Sequence, residues 1–210
     1  MPGMTMPQQA GSAAWAWSLG MWMAMMVPMM LPSLIPMLSR YRRSVRGAGG
    51  LHLHGLTALV SAGYFIIWTV FGVIACAAGA AVSAFETPRT MVAQWLPMAA
   101  GVALLVAGGV QLTSWKARQL ARCRERSGCG SPPAPGALHA WRHGLRLGVR
   151  CSLCCGSLML ALLAMGMEPV TMTAVTLAIT AERLAPAPLR VARVTGVAIV
   201  VVGVVMIARV

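Results

Sequence analysis

The sequence predicts an all-α protein, a polytopic transmembrane helical bundle with five to six membrane segments. Hydrophobic residues make up 58% of the 210 residues, whereas charged residues make up only 10%. Apolar runs cover residues 15–38, 56–84 and 91–113. Each run is long enough to cross a bilayer core of about 30 Å, which takes about 20 helical residues. Because no other stretch can bury a core of its own, residues 1–210 are predicted to form a single integral membrane domain.

The first segment is rich in methionine. Met21, Met25 and Met29 lie four residues apart on one helix face, and Met26 and Met30 form an adjacent row. A thioether sulfur is a weak, soft ligand that binds Cu(I) reversibly. Methionine also fills irregular gaps between packed helices. The row therefore indicates either a path for a soft metal or ordinary packing.

Three prolines interrupt the same segment. Pro28, Pro32 and Pro36 follow one another at four-residue intervals, so they share one face, and each removes a backbone hydrogen-bond donor. In a membrane such a defect is tolerated where protein or a water-filled cavity covers it. The prolines are therefore expected either to line a cavity or to be covered by neighbouring helices.

The distribution of positive charge predicts the orientation. The formal net charge is +13. The basic residues cluster after the first segment, at 40–46, and between the third and fourth segments, at 116–150. The positive-inside rule places both basic stretches in the cytoplasm and the N-terminus outside. A flexible cytoplasmic loop is predicted at about 114–143. Within it, residues 116–126 are a candidate continuation of the third helix, and residues 127–136 have the composition of a flexible linker. Basic loops of this kind contact anionic lipid, so the bilayer is the expected partner and nucleic acid is not.

The C-terminal half contains a predicted break. Residues 145–181 are too long for one crossing, and Glu168-Pro169 interrupts them with a carboxylate and with a residue that cannot continue the helix ladder. A short fifth segment is predicted over residues 170–182, and a last one over 191–208. Glu182 is expected at the membrane interface, where Arg183 is a candidate partner.

The strongest chemical signal is a triplet of thiols. Offsets of three and four residues place Cys151, Cys154 and Cys155 on one helix face, and Met159 extends that row. Arginines at 146 and 150 favour the thiolate, which binds soft metals and takes part in redox exchange. Free cysteine also packs as a small hydrophobe. The candidate metal ligands are Cys151, Cys154, Cys155, Met159, Met21, Met25, Met26, Met29, Met30 and Cys123, the last of these in the predicted loop.

The chain resembles the bacterial predicted metal-binding integral membrane proteins, a family grouped under a domain of unknown function. The resemblance implies a metal-binding protein of the bacterial cytoplasmic (inner) membrane. In three places this sequence departs from the family, which usually has cysteine at Gln119, glycine at Leu153 and tryptophan at Gly156. The matching residues are 25–37, Gly63-Tyr64 to Trp68, Phe71-Gly72, Gln111-Leu-Thr113, Lys116, Cys123-Arg124, Gly144, Gly148, Cys151, Cys154-Cys155, Leu158-Met159, Gly166-Met167, Met172 and Glu182.

These observations favour a protein that binds a soft metal, above all Cu(I), and takes part in its transfer or homeostasis. Methionines of the first segment would pass the ion to the thiolates, with a metallochaperone or a second membrane subunit as partner. Two alternatives stay open. One is a membrane thiol-disulfide oxidoreductase that uses Cys151-x-x-Cys154, and the other is an assembly or scaffold subunit without catalytic activity. Motifs of soluble hydrolases are missing from the sequence, which favours a role other than that of an enzyme.

Overall fold

The computed structural model describes residues 7–45, 50–84, 89–125 and 136–209, and within these ranges the regular structure is entirely helical. The prediction of an all-α helical bundle is confirmed. The helices are α1 (Pro7–Ser44), α2 (Gly50–Ala84), α3 (Arg89–Leu112), α4 (Ser114–Glu125), α5 (Ala137–Met165), α6 (Pro169–Leu184) and α7 (Pro188–Ala208).

Several of these helices are long and apolar enough to cross a membrane. Four qualify individually, namely α1, α2, α5 and α7, and the α3–α4 pair makes a fifth if the two are counted as one bent span. At 16 residues, α6 is shorter than the roughly 20 residues that a full crossing needs. The helices are compatible with a multi-pass membrane protein.

The break predicted at Glu168-Pro169 is present between α5 and α6. Helix α5 ends at Met165, and the next residue, Gly166, has a φ of +92°, which only glycine adopts without strain. Glu168 then occupies the N-cap of α6 and Pro169 its first turn, where the missing proline N–H has no helical partner to lose. Local backbone chemistry therefore produces the turn.

Glycines bring two pairs of helices into backbone contact. A Cβ added at Gly144 of α5 would lie 2.3 Å from the carbonyl oxygen of Val60 in α2, and one at Gly63 would lie 2.9 Å from the carbonyl oxygen of Trp141. Between α3 and α7, a Cβ at Gly108 would lie 2.8 Å from the carbonyl oxygen of Gly196. Helices in lipid associate through such small-residue contacts, because burial from water supplies no driving force there.

Helix α1 continues through all three of its prolines. It packs against α2, where the Trp22 indole donates a hydrogen bond of 3.1 Å to the carbonyl of Trp68. Both tryptophans belong to the main buried cluster, which also contains Met26 and Met30 of α1 together with the cysteines of α5. The methionine face of α1 therefore lies in the same core as the thiol triplet.

The first part of the predicted loop is helical, but it does not continue α3 in a straight line. Residues 114–125 form α4, which turns by 63° from α3 and packs against α5, α6 and α7. Thr113 marks the turn, since its hydroxyl accepts a hydrogen bond from the Lys116 amide, as an N-cap residue does. Lys116 and Leu120 are both 1% exposed. Residues 126–135 of the predicted loop fall outside the described ranges, and α5 begins at Ala137.

Candidate metal centre

The three predicted thiols of α5 form a row with a fourth thiol from α4. Cys151, Cys154 and Cys155 are 1 to 2% exposed, and the Cys151 and Cys155 sulfurs are 3.9 Å apart. Cys154 and Cys123 line the same cavity, and the Cys123 sulfur donates a 3.8 Å hydrogen bond to the carbonyl oxygen of Arg150 on α5. Helix α4 therefore brings Cys123 to the triplet, where the sequence placed it in a loop. Every cysteine in the described part of the chain is free.

A guanidinium group from α6 caps one end of this row. The Arg183 Nη2 atom donates to the Cys151 sulfur at 2.9 Å and to the Cys155 sulfur at 3.6 Å. One nitrogen thus bridges the sulfurs of Cys151 and Cys155. A cation in this position stabilises thiolates, which an apolar core would otherwise disfavour.

Tyr64 of α2 supplies a further contact to the same sulfur. Its hydroxyl lies 3.0 Å from the Cys151 Sγ atom, and the side chain is fully buried. The ring also meets Phe65 edge-on, with centroids 5.3 Å apart. Tyr64 and Arg183 therefore fix the position of Cys151 from two different helices.

Directly beside the thiols lies a buried ion pair. The Lys116 ammonium is 2.8 Å from a carboxylate oxygen of Glu182, and the two side chains are 1% and 2% exposed. Lys116 also donates a 2.5 Å hydrogen bond to the carbonyl oxygen of Cys154. Glu182 was expected at the membrane interface with Arg183 as partner. The partner differs from that expectation, because the return of α4 places Lys116 against Glu182 while Arg183 contacts the sulfurs. Glu182 does lie near the end of α6, and its position relative to the membrane stays a prediction.

Neutral polar groups complete the surroundings of the Glu182 carboxylate. Gln111 donates its side-chain amide N–H to this group, and the Thr195 hydroxyl donates to it at 3.2 Å. Ser157 in turn donates to the Gln111 carbonyl at 2.6 Å. Side chains from five helices, α3 to α7, thereby meet in one network. A buried charge is tolerated only with partners of this kind.

A cavity of about 350 Å³ opens beside the thiol row. Two of the three predicted prolines, Pro32 and Pro36, line it, which confirms the cavity-lining alternative for these two positions. Its wall brings together α1, α4, α5 and α6. The lining residues are Pro32, Ser33, Pro36, Met37, Arg40, Leu120, Cys123, Cys154, Thr180, Arg183 and Leu184.

The predicted methionines divide into two groups. Met26, Met29, Met30 and Met159 are at most 4% exposed and belong to the same buried cluster as the thiols. The second group contains Met21, which is 52% exposed, and Met25, which is half-buried. The structure therefore brings four of the six thioether candidates into the core of the thiol row.

The thiols form a row and not a closed metal cage. Within the described ranges, no group of three or more His, Cys, Asp or Glu side chains surrounds a common point as a preformed metal site would. The Cys151 and Cys155 sulfurs, 3.9 Å apart, form a sulfur pair that differs from the Cys151–Cys154 pair of the redox interpretation. What the arrangement offers is two adjacent sulfurs, two more thiols along the row, and two buried cations nearby.

Comparison with known proteins identifies the family. A model of a copper chaperone family, PpoB2, matches residues 19–206, which is most of the chain. The chain belongs to the PpoB2 copper chaperone family. The matched range contains every residue of the centre, from Met21 to Thr195. Neither the curated proteins nor the solved structures gave a match.

Family membership supports the metal-related class inferred from the sequence, and the structure adds residues that the sequence did not single out. Tyr64, Gln111 and Lys116 lie within the stretches that resemble metal-binding membrane proteins, but none of them was predicted to touch the thiols. A polar signal was available, since Gln111 stands inside an otherwise apolar run and Thr113-Ser114 has the composition of a helix N-cap. Together these signals predict a helix that ends and restarts before Lys116.

Proposed function

We propose that this protein is an integral membrane protein of the bacterial cytoplasmic membrane that binds Cu(I) as cargo and takes part in copper transfer or homeostasis. The observation that carries the proposal is the pair of buried sulfurs bridged by a single cationic nitrogen, Arg183 Nη2. A guanidinium nitrogen held between two sulfurs occupies the place that a soft cation would take. Membership of a copper chaperone family supports the choice of copper.

The spacing of the sulfur pair suits one metal ion. With metal–sulfur bonds of about 2.3 Å, two sulfurs 3.9 Å apart subtend an angle of roughly 115° at the ion. That angle is close to the angle of a trigonal site, and the buried Met159 thioether, one turn beyond Cys155 in the same cluster, is a neutral candidate for a third ligand.

Charge balance favours a monovalent ion at this position. Two thiolates with one Cu(I) carry a net charge of −1, and the Arg183 guanidinium compensates it. A buried uncompensated charge would cost several kcal/mol, so a divalent ion beside Arg183 would leave excess positive charge. Lys116 does not add to that excess, because Glu182 neutralises it.

The buried methionines of α1 provide a path along which Cu(I) reaches the thiols. Met26, Met29 and Met30 share a packed core with the thiols, and thioethers bind Cu(I) more weakly than thiolates do. An ion that enters along α1 would therefore move downhill in free energy toward Cys151 and Cys155. In this scheme the more exposed Met21 is the outermost ligand.

The test is copper stoichiometry. The variant with Cys151→Ser, Cys154→Ser and Cys155→Ser, purified in detergent and loaded with Cu(I) under a reducing atmosphere, is expected to retain no bound copper, whereas the wild type retains about one ion per chain. Cys76→Ser is the matched control, because Cys76 is a half-buried thiol of α2 outside the row. If the triple variant bound as much copper as Cys76→Ser, the proposal would be wrong.

A further inference from the structure

We propose that the cavity beside the thiol row is a docking site for an anionic Cu(I)–thiol complex, and that Arg183 and Arg40 recognise the carboxylates of this donor. The inference rests on the proposed function and extends it: it adds a second route to the same thiols, from the cavity and separate from entry along the α1 methionines, and names the chemical form of copper that takes it. The donor is a small molecule that binds Cu(I) through sulfur and carries carboxylate groups.

The shape and composition of the cavity fit such a donor. A volume of about 350 Å³ lies in the range of small-molecule sites. Among the described residues that line it are two arginines, and none is acidic. An organic anion therefore meets positive charge without opposing carboxylates.

Arg183 has donors left over for this anion. Its Nη2 atom is used by the sulfurs, but its Nε and Nη1 atoms are buried and find no hydrogen-bond partner within the described part of the chain. Because buried polar groups in folded proteins are almost always hydrogen-bonded, two such donors on the wall of a cavity indicate a ligand. Carboxylates are the strongest acceptors for them. The buried Ser33 hydroxyl, also without a partner there, lies on the same wall.

The thiols on the cavity wall are the reason to propose a donor that carries copper, because they can accept the ion from it. Cys123 and Cys154 both line the cavity, so their sulfurs are the protein thiols that a donor in the cavity meets first. In the transfer, Cu–S bonds to the donor break and Cu–S bonds to the protein cysteines form. Copper stays Cu(I), so no electron is transferred, and the protons released by the protein thiols pass to the freed thiols of the donor.

Arg183 links docking to loading. Its guanidinium must leave the Cys151 and Cys155 sulfurs before an ion can bind there. A carboxylate in the cavity gives the departing guanidinium a new partner, so docking of the anion and release of the sulfurs favour one another. A neutral donor offers no such exchange.

The experiment compares two donors of Cu(I) at matched ionic strength. The full-length protein in phosphatidylcholine nanodiscs is mixed with Cu(I) bound to mercaptosuccinate, a dicarboxylate thiol, or to dithiothreitol, which is neutral. The ratio of the two initial uptake rates is the readout. Arg40→Gln and Arg183→Lys are each expected to lower this ratio about fivefold or more. Arg43→Gln removes an equal charge from the same end of α1 at a residue that is not among those lining the cavity, and it is expected to leave the ratio unchanged.

The outcomes separate this inference from the proposed function. If the ratio is the same in wild type, Arg40→Gln and Arg183→Lys while copper is still bound from dithiothreitol, the docking site is refuted and copper binding stands. If the wild type takes no copper from either donor, the proposed function fails as well. The same rates are also measured in nanodiscs that contain phosphatidylglycerol. If Arg40→Gln lowers the rate ratio only there, the cavity binds lipid phosphate and the inference is overturned.

Discussion

Helix α5 passes from one kind of helix contact to another along a single buried stripe. At Gly144 and Gly148 the neighbouring backbone of α2 approaches so closely that a Cβ would lie under 3.0 Å from it. One turn later the stripe continues with Cys151 and Cys155, also buried, and there side chains from α2 and α6 fill the space. The first half of the stripe is a packing surface without polar side chains, and the second half is a chemical centre.

The difference between the two regions is a difference in what holds them together. The glycine contact depends on shape alone, since small residues allow two backbones to meet. The thiol centre depends on charge balance among Arg183, Lys116 and Glu182, in surroundings where an unpaired charge is costly. Substitutions in the two regions are therefore expected to differ in size and in their effect on copper.

The largest expected effect is the loss of stability when the Lys116–Glu182 ion pair is broken. Lys116→Met leaves Glu182 buried without its cation and is expected to lower the free energy of unfolding by about 3–5 kcal/mol. Thermal unfolding in detergent measures this loss. Addition of Glu182→Gln to the same variant restores much of the loss, because the charge is then removed as well.

Arg118→Gln serves as the control for Lys116, since it removes a basic side chain that lies exposed on the same helix. Its melting temperature is expected to match the wild type. A Lys116→Met protein as stable as Arg118→Gln would mean that the pair does not hold α4 against the bundle.

A smaller effect is expected at the glycine contact. Gly144→Ala places a methyl group 2.3 Å from the Val60 carbonyl oxygen, and this overpacking is expected to cost about 1–3 kcal/mol. Gly156→Ala, on the same helix with nothing within 4 Å of its added Cβ, is expected to be neutral or slightly stabilising. Equal melting temperatures for the two variants would show that α2 and α5 do not meet as described.

The smallest expected effect concerns the methionines. Met30→Leu preserves volume in the core, so stability is expected to change by less than about 1.5 kcal/mol, while the rate of Cu(I) loading falls because a soft ligand is lost. Met21→Leu, at an exposed position, is the comparison. Stopped-flow measurement of the Cu(I) loading rate compares the two variants. Identical rates would show that the buried methionines pack in the core without acting as ligands.

Residue chemistry that acts locally was predictable from the sequence. Glu168-Pro169 indicated the turn between α5 and α6, the offsets of the three cysteines indicated a shared face, and the four-residue spacing of Pro32 and Pro36 left a cavity as one of two outcomes. The charge partners were not predictable in this way. Lys116 stands among basic residues that suggest a cytoplasmic loop, and only the 63° turn before α4 brings it to Glu182.

The most direct test of the copper proposal is X-ray absorption spectroscopy of the Cu(I)-loaded protein. We predict a first coordination shell of two or three sulfurs at about 2.3 Å, and loss of that shell in the variant with Cys151→Ser and Cys155→Ser. A shell dominated by nitrogen or oxygen, or a sulfur shell that survives in the variant, would contradict the assignment of copper to these two cysteines.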